Sequence, residues 1–238
     1  MPPTHALDLA GAFDEGEMLP DPLPEEPFAI AKAWLDEARE RKDQPNPNAM
    51  NLATVDERGR PASRIVLCKD LRPEPGIVVF YSNYNSRKGR ELEANPYAAL
   101  TMHWDHTDRQ VRIEGPVVKS PPAESDGYFQ RRRWESRLGA WASEQSEPIA
   151  SRDALLEKVA EKAIELDLDL SKIVDQGGEG LEIPRPPFWG GYRVWAERVE
   201  LWCAGTGRVH DRARWIRELT PSGDGFEGGP WSMTRLQP

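Results

Sequence analysis

The sequence predicts a mainly β protein of the α+β class, with its strands curled into an antiparallel barrel and its helices at the periphery. Three observations carry this. Short runs of β-branched and aromatic residues, with polar residues alternating through them, recur along most of the chain. Tight-turn residues such as those in Asp56–Pro61 separate consecutive runs, so neighbours in sequence pair as hairpins. The runs follow one another directly more often than they alternate with helices, which favours a barrel over a parallel βαβ sheet.

Residues 1–24 contain no Lys, Arg or Tyr and are rich in Pro and acidic residues, the composition of a mobile arm. Residues 25–238 then form one domain. A helix is expected over Phe28–Arg41, with Phe28, Ala31, Leu35 and Ala38 as its apolar stripe and Pro47 beyond its end. Met50–Val55 and Ala62–Lys69 read as a hairpin, and Ile77–Ser82 as a third strand. A short helix over Asn85–Asn95 precedes a second hairpin, Tyr97–Trp104 with Gln110–Lys119. Pro121-Pro122 opens a helix to about Arg133, and Arg152–Leu166 is amphipathic. The acidic, Gly-rich stretch Leu168–Glu182 reads as an exposed loop. Tyr192–Trp195 and Val199–Trp202 read as paired strands, Ser222–Gly229 as a long turn, and Trp231–Leu236 as the last strand.

Bulk properties narrow the function. The 238 residues suit one substantial domain. Apolar residues are 38%, on the low side, but nine tryptophans add burial area. A net charge of −9 argues against nucleic acid as a partner and makes local basic clusters more telling. No apolar run approaches a membrane span and the first residues lack a signal peptide's pattern, so a cytoplasmic protein is expected. Cys68 and Cys203 read as packed thiols. His103 and His106 lack cysteine partners, and no metal site is expected.

Four clusters hold candidate chemistry. Arg208, His210 and Arg212 recur at a spacing of two, which on an extended chain puts them on one face. That face is either solvated or a site for an anion or electron-rich ring, and the flanking tryptophans favour the site. Arg64 and Lys69 end one strand with an odd separation. They either face two different anions or guard an edge. Ser86-Arg87-Lys88 opens a helix; it is either a phosphate cradle or a structural helix start, and cations working against the helix dipole make the structural role less attractive. Tyr128, Arg132 and Ser136, four apart, offer phosphate donors along one helix face. Gln145-Ser146 is a polar loop pair with no signal of its own.

The segments RIVLCK (64–69), YSNYNSRKGRELEANP (81–96), RQVRIEG (109–115), YFQRRR (128–133), GAWASEQS (139–146), PPFWGGYRV (186–194), VELW (199–202), RVHDR (208–212) and RLQP (235–238) together resemble the pyridoxine/pyridoxamine 5′-phosphate oxidases. The resemblance runs from about Pro20 to Pro238 and implies an FMN-binding split barrel. It implies that Arg64, Arg87 and Lys88 hold the FMN phosphate and ribityl chain. By the same resemblance Ile65, Val66, Leu67, Cys68, Lys69, Tyr81, Ser82, Gln110, Gln145, Ser146, Trp202 and Arg212 are expected to complete the flavin site. It implies that Lys69, Tyr128, Arg132 and Ser136 bind the substrate phosphate, while Arg208 and His210 act at the reacting carbon. The partners implied are a small phosphorylated pyridine substrate, O2, and a second subunit with the flavin at the dimer interface. The product the resemblance implies is pyridoxal 5′-phosphate, with O2 reduced to hydrogen peroxide. Phenazine-type flavin oxidases and a non-catalytic flavin or pyridoxal-phosphate carrier are the alternatives. Two features depart from the family: the arm lacks its Arg-x-x-Tyr element, and Ser222–Gly229 is longer than usual.

Overall fold

A computed structural model describes residues 16–169, 172, 177 and 180–238. Helix α1 spans Phe28–Arg41. Strands β1 (Ala49–Val55), β2 (Pro61–Leu67), β3 (Asp70–Arg72) and β4 (Ile77–Asn83) follow, then helix α2 (Arg87–Ala94). Strands β5 (Tyr97–Trp104) and β6 (Arg109–Lys119) precede helices α3 (Pro122–Gln130), α4 (Trp134–Ala142) and α5 (Arg152–Glu165). The chain closes with β7 (Trp189–Trp195), β8 (Arg198–Cys203), β9 (Asp211–Ile216), β10 (Leu219–Ser222), β11 (Gly225–Gly228) and β12 (Ser232–Leu236).

Every strand pairing is antiparallel. One row runs β12-β9-β8-β6-β5-β1-β2, and β3-β4-β7 branches from it. Strand β6 makes the branch. It lies between β5 and β8 up to Glu114, and Val117–Lys119 then pair with β7. This is a split barrel. Alternation puts Met50, Leu52, Leu100, Met102, Val111, Ile113, Val199, Leu201 and Trp215 inside, in one cluster with Phe28, Ala31 and Leu35 of α1. Each such side chain contributes roughly 1.5–3 kcal/mol on full burial. The Glu26 carboxylate accepts the N–H groups of Phe28 and Ala29 at 2.7 and 3.0 Å and caps α1.

Three expectations change. Of the expected arm, residues 16–24 pack on the barrel. Leu19 is buried, its N–H donates to Asp211 Oδ2 at 2.9 Å, and the Trp215 indole donates to the Pro24 carbonyl at 2.9 Å. An apolar side chain in a polar stretch suffices to dock it. Residues 1–15 lie outside the described residues, as does most of 170–179. The helix opened at Pro121 ends at Gln130, and α4 restarts after Arg133, whose extended ψ of 146° breaks the helical path. Finally, 222–229 is no simple turn. It belongs to the β10–β11 hairpin, which turns at Gly223 (φ +56°) and lays Phe226 against Trp195, ring centroids 5.9 Å apart.

Candidate active site

A cleft of about 710 Å³ opens between β2, β4, the α3–α4 break and the start of β7. Ile65, Val66 and Leu67 line it from β2, Tyr81, Ser82 and Asn83 from β4, and Lys88 from α2. Lys69, Tyr128, Arg132, Arg133, Ser136, Gly139, Ala140, Ser143, Gln145 and Trp189 complete the wall. Four of these residues are cationic and none is acidic. Arg133 turns outward to Glu135 at 2.8 Å. Among the described residues strand β2 is the last in its row, which leaves one backbone edge of Pro61–Leu67 able to bond a planar polar ligand.

Lys88 is 8% exposed, and its Nζ reaches Ser82 Oγ at 3.0 Å, Ser86 Oγ at 3.1 Å and Gln145 Oε1 at 2.8 Å. These partners are neutral. Burial, and then the charge of Arg64, push its pKa down to about 8. The Glu91 carboxylate opposes that shift without bonding Nζ directly, so an anion bound at Nζ, such as a phosphate, suits the site.

Arg64 and Arg87 differ from the sequence reading. They do not line the cleft. Both bind Glu91, at 2.7 and 2.8 Å, and Thr54 Oγ1 donates to the same carboxylate at 2.5 Å. Burial alone would raise the Glu91 pKa, but the hydrogen bonds from Thr54, Arg64 and Arg87 outweigh it and hold the carboxyl below its usual range. The expected three-cation cradle thus contains a carboxylate. The four-residue Arg87–Glu91 spacing was the sequence signal for it. Cys68 also leaves the cleft. Its side chain is fully buried in the core, where burial pushes the thiol to about 12.

Lys69, Tyr128, Arg132 and Ser136 do meet in the cleft. They converge across the helix break rather than along one helix face. Tyr81 and Tyr128 stack at 3.9 Å, and Trp189 lies nearly parallel to both. Trp189 carries no assignment in the sequence reading, because nothing in a strand-initial Trp announces a cation partner. Strand β7 admits this stack through Gly191. A Cβ there would sit 2.9 Å from Tyr81 Cε1 and 2.5 Å from Ser120 Oγ. Gly191→Ala is expected to cost about 1–3 kcal/mol by overpacking, read as a lower thermal midpoint.

Arg208, His210, Arg212, Gln110 and Trp202 form a second group away from the cleft. Gln110, Trp202 and Arg212 align across β6, β8 and β9. The Arg208–Arg212 stretch is not extended as expected. Thr206–Arg208 forms a 3-10 turn, with Arg208 at φ +66°, so the three side chains do not share a strand face. His210 packs on Trp202, centroids 4.8 Å apart, and its Nδ1 accepts the Gly205 N–H at 3.2 Å. Arg212 pairs with Glu200 at 2.8 Å. Ser146 lies in a neighbouring small cleft, and of the polar pair only Gln145 reaches the main one.

Residues 35–165 match the family described as pyridoxamine 5′-phosphate oxidase. Residues 189–238 match the pyridoxine 5′-phosphate oxidase C-terminal dimerisation region. A pyridoxine/pyridoxamine 5′-phosphate oxidase of Paracoccus denitrificans is 43% identical over 224 residues, 90% of this chain and 96% of that protein. One from Burkholderia ambifaria is 45% identical over 227 residues, 95% of this chain and 94% of that protein. Among solved structures, PhzG from Burkholderia lata, in complex with tetrahydrophenazine-1-carboxylic acid, superposes with a TM-score of 0.75 at 31% identity, covering 90% of this chain and 94% of that one. An FMN-binding protein from Nostoc punctiforme, 17% identical with a TM-score of 0.61 over 89% of this chain and 97% of that one, shares the fold. With both halves of the barrel matched and relatives aligned along nearly their whole length, the chain belongs to the pyridoxine/pyridoxamine 5′-phosphate oxidase family.

Proposed function

We propose that the protein oxidises pyridoxamine 5′-phosphate or pyridoxine 5′-phosphate to pyridoxal 5′-phosphate, using FMN and reducing O2 to hydrogen peroxide. The observation that carries this is the cleft itself: Lys69, Lys88 and Arg132 line it and, among the described residues, no acidic one does. Such a site suits phosphate monoesters. Lys88 takes the cofactor phosphate, with Arg64 and Arg87 adding charge from behind Glu91. Lys69, Tyr128, Arg132 and Ser136 take the substrate phosphate.

When bound, FMN supplies the two-electron oxidation and returns the electrons to O2. The chain's own task is to bind, orient and exclude water. The outer edge of β2 at Ile65–Leu67 borders the ring system, with Lys69, Tyr81, Ser82 and Gln145 beside it, whereas the Cys68 N–H is spent on the Asn48 carbonyl. Gln110, Ser146, Trp202, Arg208, His210 and Arg212 act across a two-fold interface in a cytoplasmic homodimer. Four of these six, Trp202, Arg208, His210 and Arg212, lie within the segment that matches the dimerisation region, which supports this placement. Arg208 orients the pyridine ring and His210 orders the pocket. Neither has to be a strong base, since positioning and electrostatics supply most of the effect.

The similarity to PhzG favours a second reading, oxidation of a tricyclic substrate. Cations free of carboxylates favour the phosphorylated one. Anaerobic stopped-flow spectroscopy separates them. Pyridoxamine 5′-phosphate is expected to bleach the bound flavin, and re-admitted O2 to yield peroxide. A flavin that stays oxidised while that ligand binds rules the reading out. Bleaching by a tricyclic substrate then supports the second reading, and none at all a carrier.

A further inference from the structure

Arg132 is held in an unusual way for a half-buried arginine. Its guanidinium carbon lies 4.4 Å from the Trp189 ring centroid and 5.5 Å from that of Phe129. Its Nη1 is buried and has no hydrogen-bond partner among the described residues. Nearby arginines are held differently. Arg72 and Arg193 share Glu124, Arg64 and Arg87 share Glu91, and Arg185 binds Asp126.

The difference has chemical consequences. A carboxylate fixes a guanidinium by neutralising it and occupying its N–H donors. An aromatic face attracts the cation through its quadrupole and takes none of the in-plane donors. Arg132 thus keeps its full charge, and Nη1 keeps its unmet donors. Trp189 is itself well fixed. It is 7% exposed, lies nearly parallel to Tyr81 and Tyr128 at 5.6 and 6.2 Å, and meets Phe129 edge-on at 5.1 Å. Its place as the first residue of β7, paired with Asn83, sets the ring at the cleft wall.

We propose that Trp189 is a positioning residue for phosphate recognition: it holds Arg132 charged, unneutralised and in place at the cleft wall, and so sets the preference for phosphorylated ligands. This rests on the reading of Arg132 as the substrate-phosphate anchor. Trp189 acts through Arg132, so its loss affects only ligands that carry the phosphate.

The test compares Trp189→Leu, Trp189→Phe, Arg132→Ala and the Trp189→Leu/Arg132→Ala double variant as holoenzymes. Two readouts are used: KM and kcat with pyridoxamine 5′-phosphate, and equilibrium affinity for pyridoxal 5′-phosphate against pyridoxal. Trp189→Leu is expected to raise KM and weaken pyridoxal 5′-phosphate about tenfold, while leaving pyridoxal affinity unchanged. Trp189→Phe keeps a ring face and is expected to stay within about threefold of wild type. In the Arg132→Ala background the leucine substitution adds nothing further. Multiplicative losses in the double variant, or an equal loss of pyridoxal affinity, overturn the proposal. If Trp189→Leu does not fold, Trp189→Met, which also removes the ring face, makes the same comparison in the two backgrounds: a loss that vanishes without Arg132 supports the proposal, and no loss, or one that persists, overturns it. A wild-type enzyme that binds pyridoxal 5′-phosphate but does not oxidise the amine refutes the functional reading alone, since the binding comparison still decides the role of Trp189.

Discussion

Replacing Arg208 with Ala is expected to lower kcat by on the order of 10²-fold, with flavin content unchanged. Arg208 is exposed at the tip of a tight turn and adopts φ +66°. The left-handed conformation of a non-glycine residue costs roughly 1–2 kcal/mol, so the loop must be held by its surroundings. Its restraints are visible. The Arg208 N–H donates to the Gly205 carbonyl at 3.2 Å, and the Ala204 N–H to the Asp108 carbonyl at 2.9 Å. Gly205 approaches the Val209 carbonyl so closely that a Cβ would stand 2.0 Å from its oxygen. A rigid loop that presents an exposed guanidinium suits a group completing a neighbouring subunit's cleft. Steady-state kinetics with pyridoxamine 5′-phosphate checks this. A kcat within about threefold of wild type would remove Arg208 from the reacting centre.

Lys88→Met is expected to weaken FMN binding by on the order of 10²-fold and to leave riboflavin binding nearly unchanged. Charge-assisted hydrogen bonds contribute roughly 1.5–3 kcal/mol each, and only FMN has the phosphate that accepts them. Methionine preserves most of the side-chain length, so packing is little altered. The pH dependence has a definite sign. In the free protein Lys88 titrates at about 8, because burial and Arg64 disfavour its charge. A bound phosphate needs that charge. FMN affinity is therefore flat between about pH 7 and 8, where the phosphate is already dianionic, and falls by up to tenfold per pH unit above that. The slope disappears in Lys88→Met. Stability of the flavin-free protein follows the opposite course. The unfolded chain keeps the Lys88 proton up to the ordinary value of 10.5, so between about 8 and 10.5 it binds more protons than the folded chain. The cost of burying the charge is complete below about pH 8 and is relieved as pH rises through that window. Fluorescence titration with FMN and riboflavin between pH 7 and 9.5 measures both binding expectations.

Most of the fold was legible because its determinants are local. Alternation of apolar and polar residues marked β1, β5, β6 and β8 within a residue or two, and the apolar stripe marked α1 with its observed ends. The misjudged stretches obey other forces. Helix α4 begins straight after three arginines, where an extended Arg133 ends one helical path and a new one starts. The β10–β11 hairpin looks like a polar turn until Phe226 finds Trp195. Residues 16–24 have the composition of a free arm, yet one buried Leu19 and the hydrogen bond to Asp211 dock them.

By itself the sequence determined which residue types are present for the chemistry: a surplus of cations at 64–69, 86–88, 128–136 and 208–212, in an acidic chain. The spacing of Arg64 and Lys69 left two anions and a guarded edge both open; in the fold Lys69 lines the cleft and Arg64 pairs with Glu91. Only the tertiary structure decided which of those cations stay unneutralised. Glu91 reaches Arg64 and Arg87 from α2, Glu200 reaches Arg212 across β8 and β9, and an aromatic face rather than a carboxylate meets Arg132. Charge at a site depends on groups within a few ångströms in space, and strand pairing brings together residues far apart in sequence. Composition and periodicity carry no record of those distances.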